Sequence, residues 1–211
     1  MKGKNIDYAQ NVFINCPFDA NYQDLFNAIL FTVTRCGFIL RCSKEFGDDS
    51  DTIRIENILQ LIEESKYAIH DLSRVNVNET EPLPRFNMPL ELGIFIGCRR
   101  FGSKTHQAKK YLIFESNKFR FKQFISDLSG QDIQAHEDSV EKVIKCIRNF
   151  LTEKTMSIVP SPSIIAKEYE EFLGILPDLC AEKLWIPSEF TFSEFSSLVT
   201  SWTSTDRNGV D

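Results

Sequence analysis

What the sequence lacks narrows the field first. No apolar run comes near the ~20 residues that a membrane-spanning helix needs. The longest runs, such as "AILFTV", are a fraction of that, so no membrane partner is expected. The opening "MKGKNIDYAQN" is polar and reads as no cleavable signal. No CxxC occurs among the six cysteines (Cys16, Cys36, Cys42, Cys98, Cys146 and Cys180), which lie in apolar segments at irregular spacing. That pattern predicts free thiols in a reducing, cytoplasmic setting and argues against a zinc framework. The three histidines, at 70, 106 and 136, have no metal spacing either. No basic face offsets the net charge of −6, which argues against a nucleic-acid partner. Neither GxGxxG nor GxxxxGK[ST] is present, so the standard dinucleotide and P-loop readings fail. The expectation is a chain with no metal and no bound cofactor.

What is present is an alternation of strand-like and helix-like segments. "NVFINCPFD" is a short apolar run closed by a turn, with a strand over 12–15. Tyr22, Leu25, Phe26, Ile29, Leu30 and Val33 recur at helical spacing, and Gly37 suits the position just past that helix. "FILRC" (38–42) predicts a second strand. Ile55, Ile58, Leu59 and Ile62 mark a second helix, with Asp51 as its N-cap. "YAIHD" (67–71) predicts a third strand, a helix begins near Asn87 or Met88, and "KKYLIFE" (109–115) predicts a fourth strand. The fold class expected is α/β: an open parallel sheet with helices on both faces, flavodoxin-like or Rossmann-like, plus a small helical C-terminal extension.

The reading loses definition after Glu115. Asp138 and Glu141 have capping-box spacing, and Val140, Val143, Ile144, Ile147 and Leu151 make one helical stripe. "IVPSPS" punctuates the chain, which places the α/β domain at 1–155 and a helical extension at 156–211. Two short amphipathic helices are expected there, one around Ile165, Tyr169 and Phe172. The other carries Phe195, Leu198, Val199 and Trp202, with Thr191 and Glu194 at its start. Pieces of that length need a surface to dock on, either the core or a partner subunit.

Open α/β sheets bind ligands outside the C-terminal ends of their strands. Three polar groups fall at those ends: Asn15 to Asp19 after the first strand, His70 and Asp71 at the third, and Asn87 with Glu91 beyond it. Glu91 interrupts the apolar stretch "NMPLELGIFIG", where an unpaired carboxylate is expensive. Gly93 and Gly97 follow it and would allow another backbone or a ligand to approach. An acid in the first turns of a helix also has a purely electrostatic explanation. Asp71 offers a second carboxylate, the pair that glycosidic chemistry uses. "CPFD" either ends a strand and caps a helix or presents its backbone N–H groups to a phosphate or sugar. Arg54, a cation in a first turn, opposes the helix dipole and awaits an anionic ligand or a carboxylate.

With these residues in view, the core resembles the nucleoside 2-deoxyribosyltransferase-like family. More distantly it is similar to the TIR-like NAD-cleaving domains. "INCPFD" fills the place of the family's "AGPF"-like turn, Asp71 in "YAIHDLS" matches a strand-ending aspartate, and "NMPLELGIFIGCRRFG" matches the helix opening "GTAFEIGYAYALGK". The resemblance covers residues 11 to about 115 and sets Glu91 on the family's nucleophilic glutamate. "FNM" replaces the family's "SGT" approach to that helix. Similar domains serve as effectors in bacterial defence, and the wider pattern is shared with a group of uncharacterised bacterial proteins.

The resemblance implies cleavage or transfer at the N-glycosidic bond of a nucleoside, a nucleotide or NAD. Glu91 and Asp71 would be catalytic, and Asn15, Pro17, Phe18, Asp19, Arg54, Asn87 and Met88 would bind substrate. It also implies an oligomer. The 18 phenylalanines and two tryptophans independently suggest a homodimer or larger assembly with aromatic contact surface. Two rival readings use the same residues: a nucleotide-sensing module without chemistry, and an interaction protein in which Glu91 is only a helix-start acid.

Overall fold

The computed structural model describes residues 8–47, 53–74, 85–123, 125–153 and 159–205. Five strands form one parallel sheet: β1 (Asn11–Asn15), β2 (Ile39–Arg41), β3 (Tyr67–Asp71), β4 (Lys110–Glu115) and β5 (Ile133–Ala135). Their order is β2-β1-β3-β4-β5. The crossover helices are α1 (Gln23–Arg35), α2 (Arg54–Glu64) and α3 (Asn87–Phe101), and helices cover both faces. The order reverses direction between β1 and β3, which makes the carboxyl ends of those two strands the natural crevice of the fold.

The strands of the sheet centre read as apolar runs because they are buried on both sides. Every residue of β1 and β3 is buried. Phe13 and Ala68 meet Ile58, Leu61, Ile62 and Phe95 from α2 and α3. Leu72, Met88, Leu92 and Ile113 form a second cluster nearer the strand ends. These two clusters press the start of α3 against the ends of β1 and β3.

Lys109 is fully buried just before β4. Its ammonium donates to Ile62 O at 2.6 Å and to Ser65 O, carbonyls at the C-terminal end of α2. Its charge also lies 5.0 Å from the Tyr8 ring and 5.1 Å from the Phe95 ring. Burial lowers its pKa to about 8.

Several local expectations need correction. The N-cap of α2 is Ile53; Asp51, expected there, lies outside the described residues. The fifth strand was not legible: Ile133–Ala135 is three residues long and half-buried throughout, too short to show a period. Helix α5 (Val140–Thr152) starts directly after Ser139, and Asp138 lies outside it in left-handed backbone (φ 52°). At Gly93 and Gly97 no backbone of another described element lies within 4 Å of where a Cβ would stand, so the space beside them is open.

By contact the chain forms two compact units, Met1–Phe26 with Ile39–Ser139, and Asn27–Phe38 with Val140–Asp211. The first holds the sheet. In the second, the latter part of α1 groups with α5, α6 (Pro162–Lys183) and α7 (Phe192–Thr205). Helix α6 is 22 residues long, well beyond the short piece expected, with Pro162 at its start and Pro177 inside it. Phe31 packs on Tyr169, Phe172 and Trp202 with ring centroids 5.2–5.6 Å apart. Arg35 grips Glu168 bidentately at 2.7 and 2.8 Å. Thr191 and Glu194, at the start of α7 as expected, form a capping box: the Thr191 hydroxyl accepts from Glu194 N, and the carboxylate accepts from Thr191 N. No helix among the described residues is long and apolar enough to cross a membrane.

Candidate functional site

Helix α3 turns Met88, Glu91, Leu92 and Phe95 inward at helical spacing, so Glu91 belongs to the buried stripe of the helix. It is 8 % exposed. No hydrogen-bond donor among the described residues engages its carboxylate. Burial therefore raises its pKa to about 7, against the opposing pull of the Arg54 charge. Arg54, exposed in the first turn of α2, is close enough for its charge to act on Glu91. A carboxyl that titrates near neutrality can hold or release a proton at working pH.

Asp71 is in a different situation. It is fully buried at the end of β3, and both its oxygens are engaged. Ser73 N donates to Oδ1 at 2.7 Å, the Tyr22 hydroxyl donates to Oδ2, and His136 Nε2 stands 3.0 Å from Oδ2. Asp138 N donates to His136 Nδ1 at 2.9 Å. That ring nitrogen is therefore an acceptor, which puts the proton of neutral His136 on Nε2, facing the carboxylate. Burial alone would raise the pKa of Asp71, but hydrogen bonding from His136, with that from Ser73 and Tyr22, outweighs it and lowers the value. Tyr22, His136 and Asp71 form a closed buried knot, of which only Asp71 was picked from the sequence. Tyr22 sits at a helical core position and His136 in a polar turn, and nothing in either segment signals the contact.

The remaining predicted residues divide into two groups. Asn15 is buried and ties the end of β1 to the start of α3: its Nδ2 donates to Met88 O at 2.9 Å and lies 3.0 Å from His70 Nδ1. His70 is packed edge-on between Phe13 and Phe95, and burial lowers its pKa to about 3, so it is neutral. It is a core histidine. Met88 is buried and offers its carbonyl, while Asn87 is exposed. In the turn after β1, Pro17 is buried and Phe18 half-buried, stacked edge-on with Phe26 under the Lys44 ammonium. Asp19 stands before the 3-10 turn Ala20–Tyr22 but does not cap it with its side chain. Its Oδ2 instead accepts from Arg85 at 3.1 Å.

A second cluster, missed in the sequence, lies where β3 and β4 end. Arg120 bonds Glu115 Oε1 through Nε at 3.0 Å and also donates to Ser73 O. It sits in the aromatic and basic segment "FRFKQF", whose pattern gives no sign of this inward turn. Phe119, just before it, takes left-handed backbone at φ 68°, a conformation that bulky residues rarely adopt.

Cavities lined by described residues lie elsewhere. One of about 360 Å³ is lined by Ile96, Arg99, Arg100 and Gln107 in the first unit. Another, of about 500 Å³, lies between α6 and α7 against Leu198 and Trp202. Among the described residues no group of three or more His, Cys, Asp or Glu side chains is arranged to hold a metal ion. No protein-family model, curated protein or solved structure matches the chain. The sheet order and the helices on both faces are consistent with the broad flavodoxin and Rossmann-like class of α/β folds.

Proposed function

We propose that this chain cleaves or transfers at the N-glycosidic bond of a nucleoside, a nucleotide or NAD, with Glu91 as the reacting carboxylate. One observation carries the reading: Glu91 is a buried carboxylate on the helix that Asn15 ties to the end of β1, and burial raises its pKa to about 7. A group of that kind is costly to keep unless it is used. The likeness of "INCPFD", "YAIHD" and "NMPLELG" to deoxyribosyltransferase motifs supports the same assignment.

In this reaction the base leaves with the electron pair of the C1′–N bond, and positive charge develops on the sugar carbon. The ionised Glu91 carboxylate either bonds to that carbon or shields its charge. Water or a second base then completes the turnover and takes the sugar. Asp71 acts as a positioning residue, since its oxygens are occupied by Tyr22, His136 and the Ser73 amide. Asn15 holds α3 at the end of β1, which keeps Glu91 at the crevice. The enzyme would work as a homodimer, because Phe86 and Leu90, close to Glu91 in the chain, are 67 % and 56 % exposed.

A second reading, a nucleotide-sensing module without chemistry, is favoured by the full occupancy of Asp71, which leaves Glu91 without a free partner acid. Incubation with NAD and a nucleoside and nucleotide panel, followed by chromatography of released base, separates the two. Base release supports the enzyme. Saturable binding without release supports the sensor and overturns the enzyme.

A further inference from the structure

We propose that the cavity at the C-terminal end of α3 binds a small organic phosphate, with Arg99 and Arg100 holding the phosphate group. The cavity has a volume of about 360 Å³ and is lined by Ile96, Arg99, Arg100 and Gln107. That lies within the ~300–1,000 Å³ of small-molecule sites and leaves room for more than a bare phosphate ion. Ile96, Arg99 and Arg100 stand at i, i+3 and i+4 of one helix, so they share a face. Gln107 comes from the short helix α4 (Lys104–Gln107), and all four residues belong to the first compact unit.

The charge around this cavity is of one sign. From Cys98 to Lys110 the chain carries Arg99, Arg100, Lys104, Lys109 and Lys110 and no Asp or Glu, in a protein of net charge −6. Lys109 is spent on carbonyls at the end of α2. Arg99 and Arg100 make no ion pair and no hydrogen bond with any described residue. The helix dipole favours cations in a last turn. It does not require both of them to line one cavity without a carboxylate. Two guanidiniums there offer planar forks of N–H donors that match phosphate oxygens, and their two charges suit a dianion.

The wall of the cavity is held in place before any ligand arrives. Arg99 is half-buried, and its guanidinium carbon lies 5.5 Å from the centre of the Tyr111 ring. The Tyr111 hydroxyl donates to Gln131 Oε1 at 3.2 Å, which fixes that ring in turn. Gln107 Nε2 donates to Gly102 O at 3.1 Å, which steadies the amide and keeps its second hydrogen for a phosphate oxygen. Groups already ordered lose little freedom on binding. Ile96 supplies an apolar surface for the carbon part of the ligand. A strand of nucleic acid would need an extended basic face, whereas a concave site with two cations suits a small anion. Glu91 lies eight residues before Arg99 on the same helix, ~12 Å along its axis. The cavity is therefore a second site, and its occupancy does not depend on glycosidic chemistry.

Titration calorimetry of the full chain with phenyl phosphate, phenol and inorganic phosphate tests the site, since none of these probes has a glycosidic bond. Phenyl phosphate is expected to bind saturably, inorganic phosphate more weakly, and phenol not at all. Arg99→Gln and Arg100→Gln should each weaken phenyl phosphate roughly tenfold. Lys167→Gln, which removes an exposed cation of α6, changes the net charge equally and should bind as the wild type does. Circular dichroism confirms that each variant folds, and two arginine variants guard against the failure of one. Absence of saturable phenyl phosphate binding to the wild type would overturn the inference, as would unchanged affinity in folded Arg99→Gln and Arg100→Gln. An equal loss in Lys167→Gln would trace the effect to net charge and overturn the site. Phenol binding as tightly as phenyl phosphate would overturn the part given to the arginines, and phosphate binding as tightly would overturn the part given to Ile96.

Discussion

His136 Nε2 stands 3.0 Å from Asp71 Oδ2, with both side chains fully buried. Replacing His136 by Ala should leave the carboxylate short of a partner where water cannot replace it. Breaking a buried pair of this kind costs about 3 kcal/mol or more. Urea unfolding at pH 7 is the measurement, and an unchanged midpoint would contradict the interaction. The same pair has a pH signature. The Asp71 pKa is lowered from its ordinary value of 3.8, so its contribution is complete above that value and is lost as pH falls through the lower folded value. Asp71→Asn should remove that acid limb from a plot of stability against pH.

Glu91 and Arg54 predict an effect of the opposite sign. The Glu91 pKa rises from 4.5 to about 7 on folding, so the folded chain holds a proton more tightly than the unfolded one. Its contribution to stability is full below pH 4.5 and is lost as pH rises through about 7. Glu91→Gln should remove that loss and be more stable than the wild type at pH 8, by ~3 kcal/mol at most. Arg54→Gln should push the Glu91 titration higher still, because the cation lowers it. Carboxyl carbon shifts followed by NMR through this range would read both, and a Glu91 midpoint near 4.5 would contradict the environment described.

Lys109→Ala tests the closure of α2. The change leaves Ile62 O and Ser65 O without their ammonium donor and opens space beside Phe95. A loss of ~2 kcal/mol or more is expected in denaturant unfolding. A neutral result would mean that the two carbonyls find other partners.

The elements with a strong period were readable, and the site only in part. β3 was found residue for residue, and α1, α2 and α3 to within a few positions, since each buries a continuous stripe or a full apolar run. β5 escaped because three half-buried residues carry no alternation. Glu91 stood out as a charge in an apolar run, and Arg54 as a charge of the wrong sign in a first turn. Tyr22, His136, Glu115 and Arg120 did not stand out, because their meaning lies in contacts between segments far apart in the chain. Asp71 was selected for its place at a strand end, yet its neighbours could not be read from that place.

Assembly is predicted to be a homodimer, with the exposed Phe86 and Leu90 at or near the contact. Light scattering across a wide concentration range should give a mass near twice 24.3 kDa, and Leu90→Asp should return it toward the monomer. A constant 24.3 kDa for the wild type at high concentration would contradict the dimer.

The role of Glu91 is tested most directly by comparing base release by the wild type and by Glu91→Gln, on whichever nucleoside, nucleotide or NAD the wild type cleaves. Gln keeps the shape and fills the same buried position, but it can neither carry the charge nor attack the sugar. The account predicts a fall of at least ~100-fold in turnover, with folding preserved by circular dichroism. Equal turnover in the two proteins, or no turnover by the wild type across the panel, would contradict it.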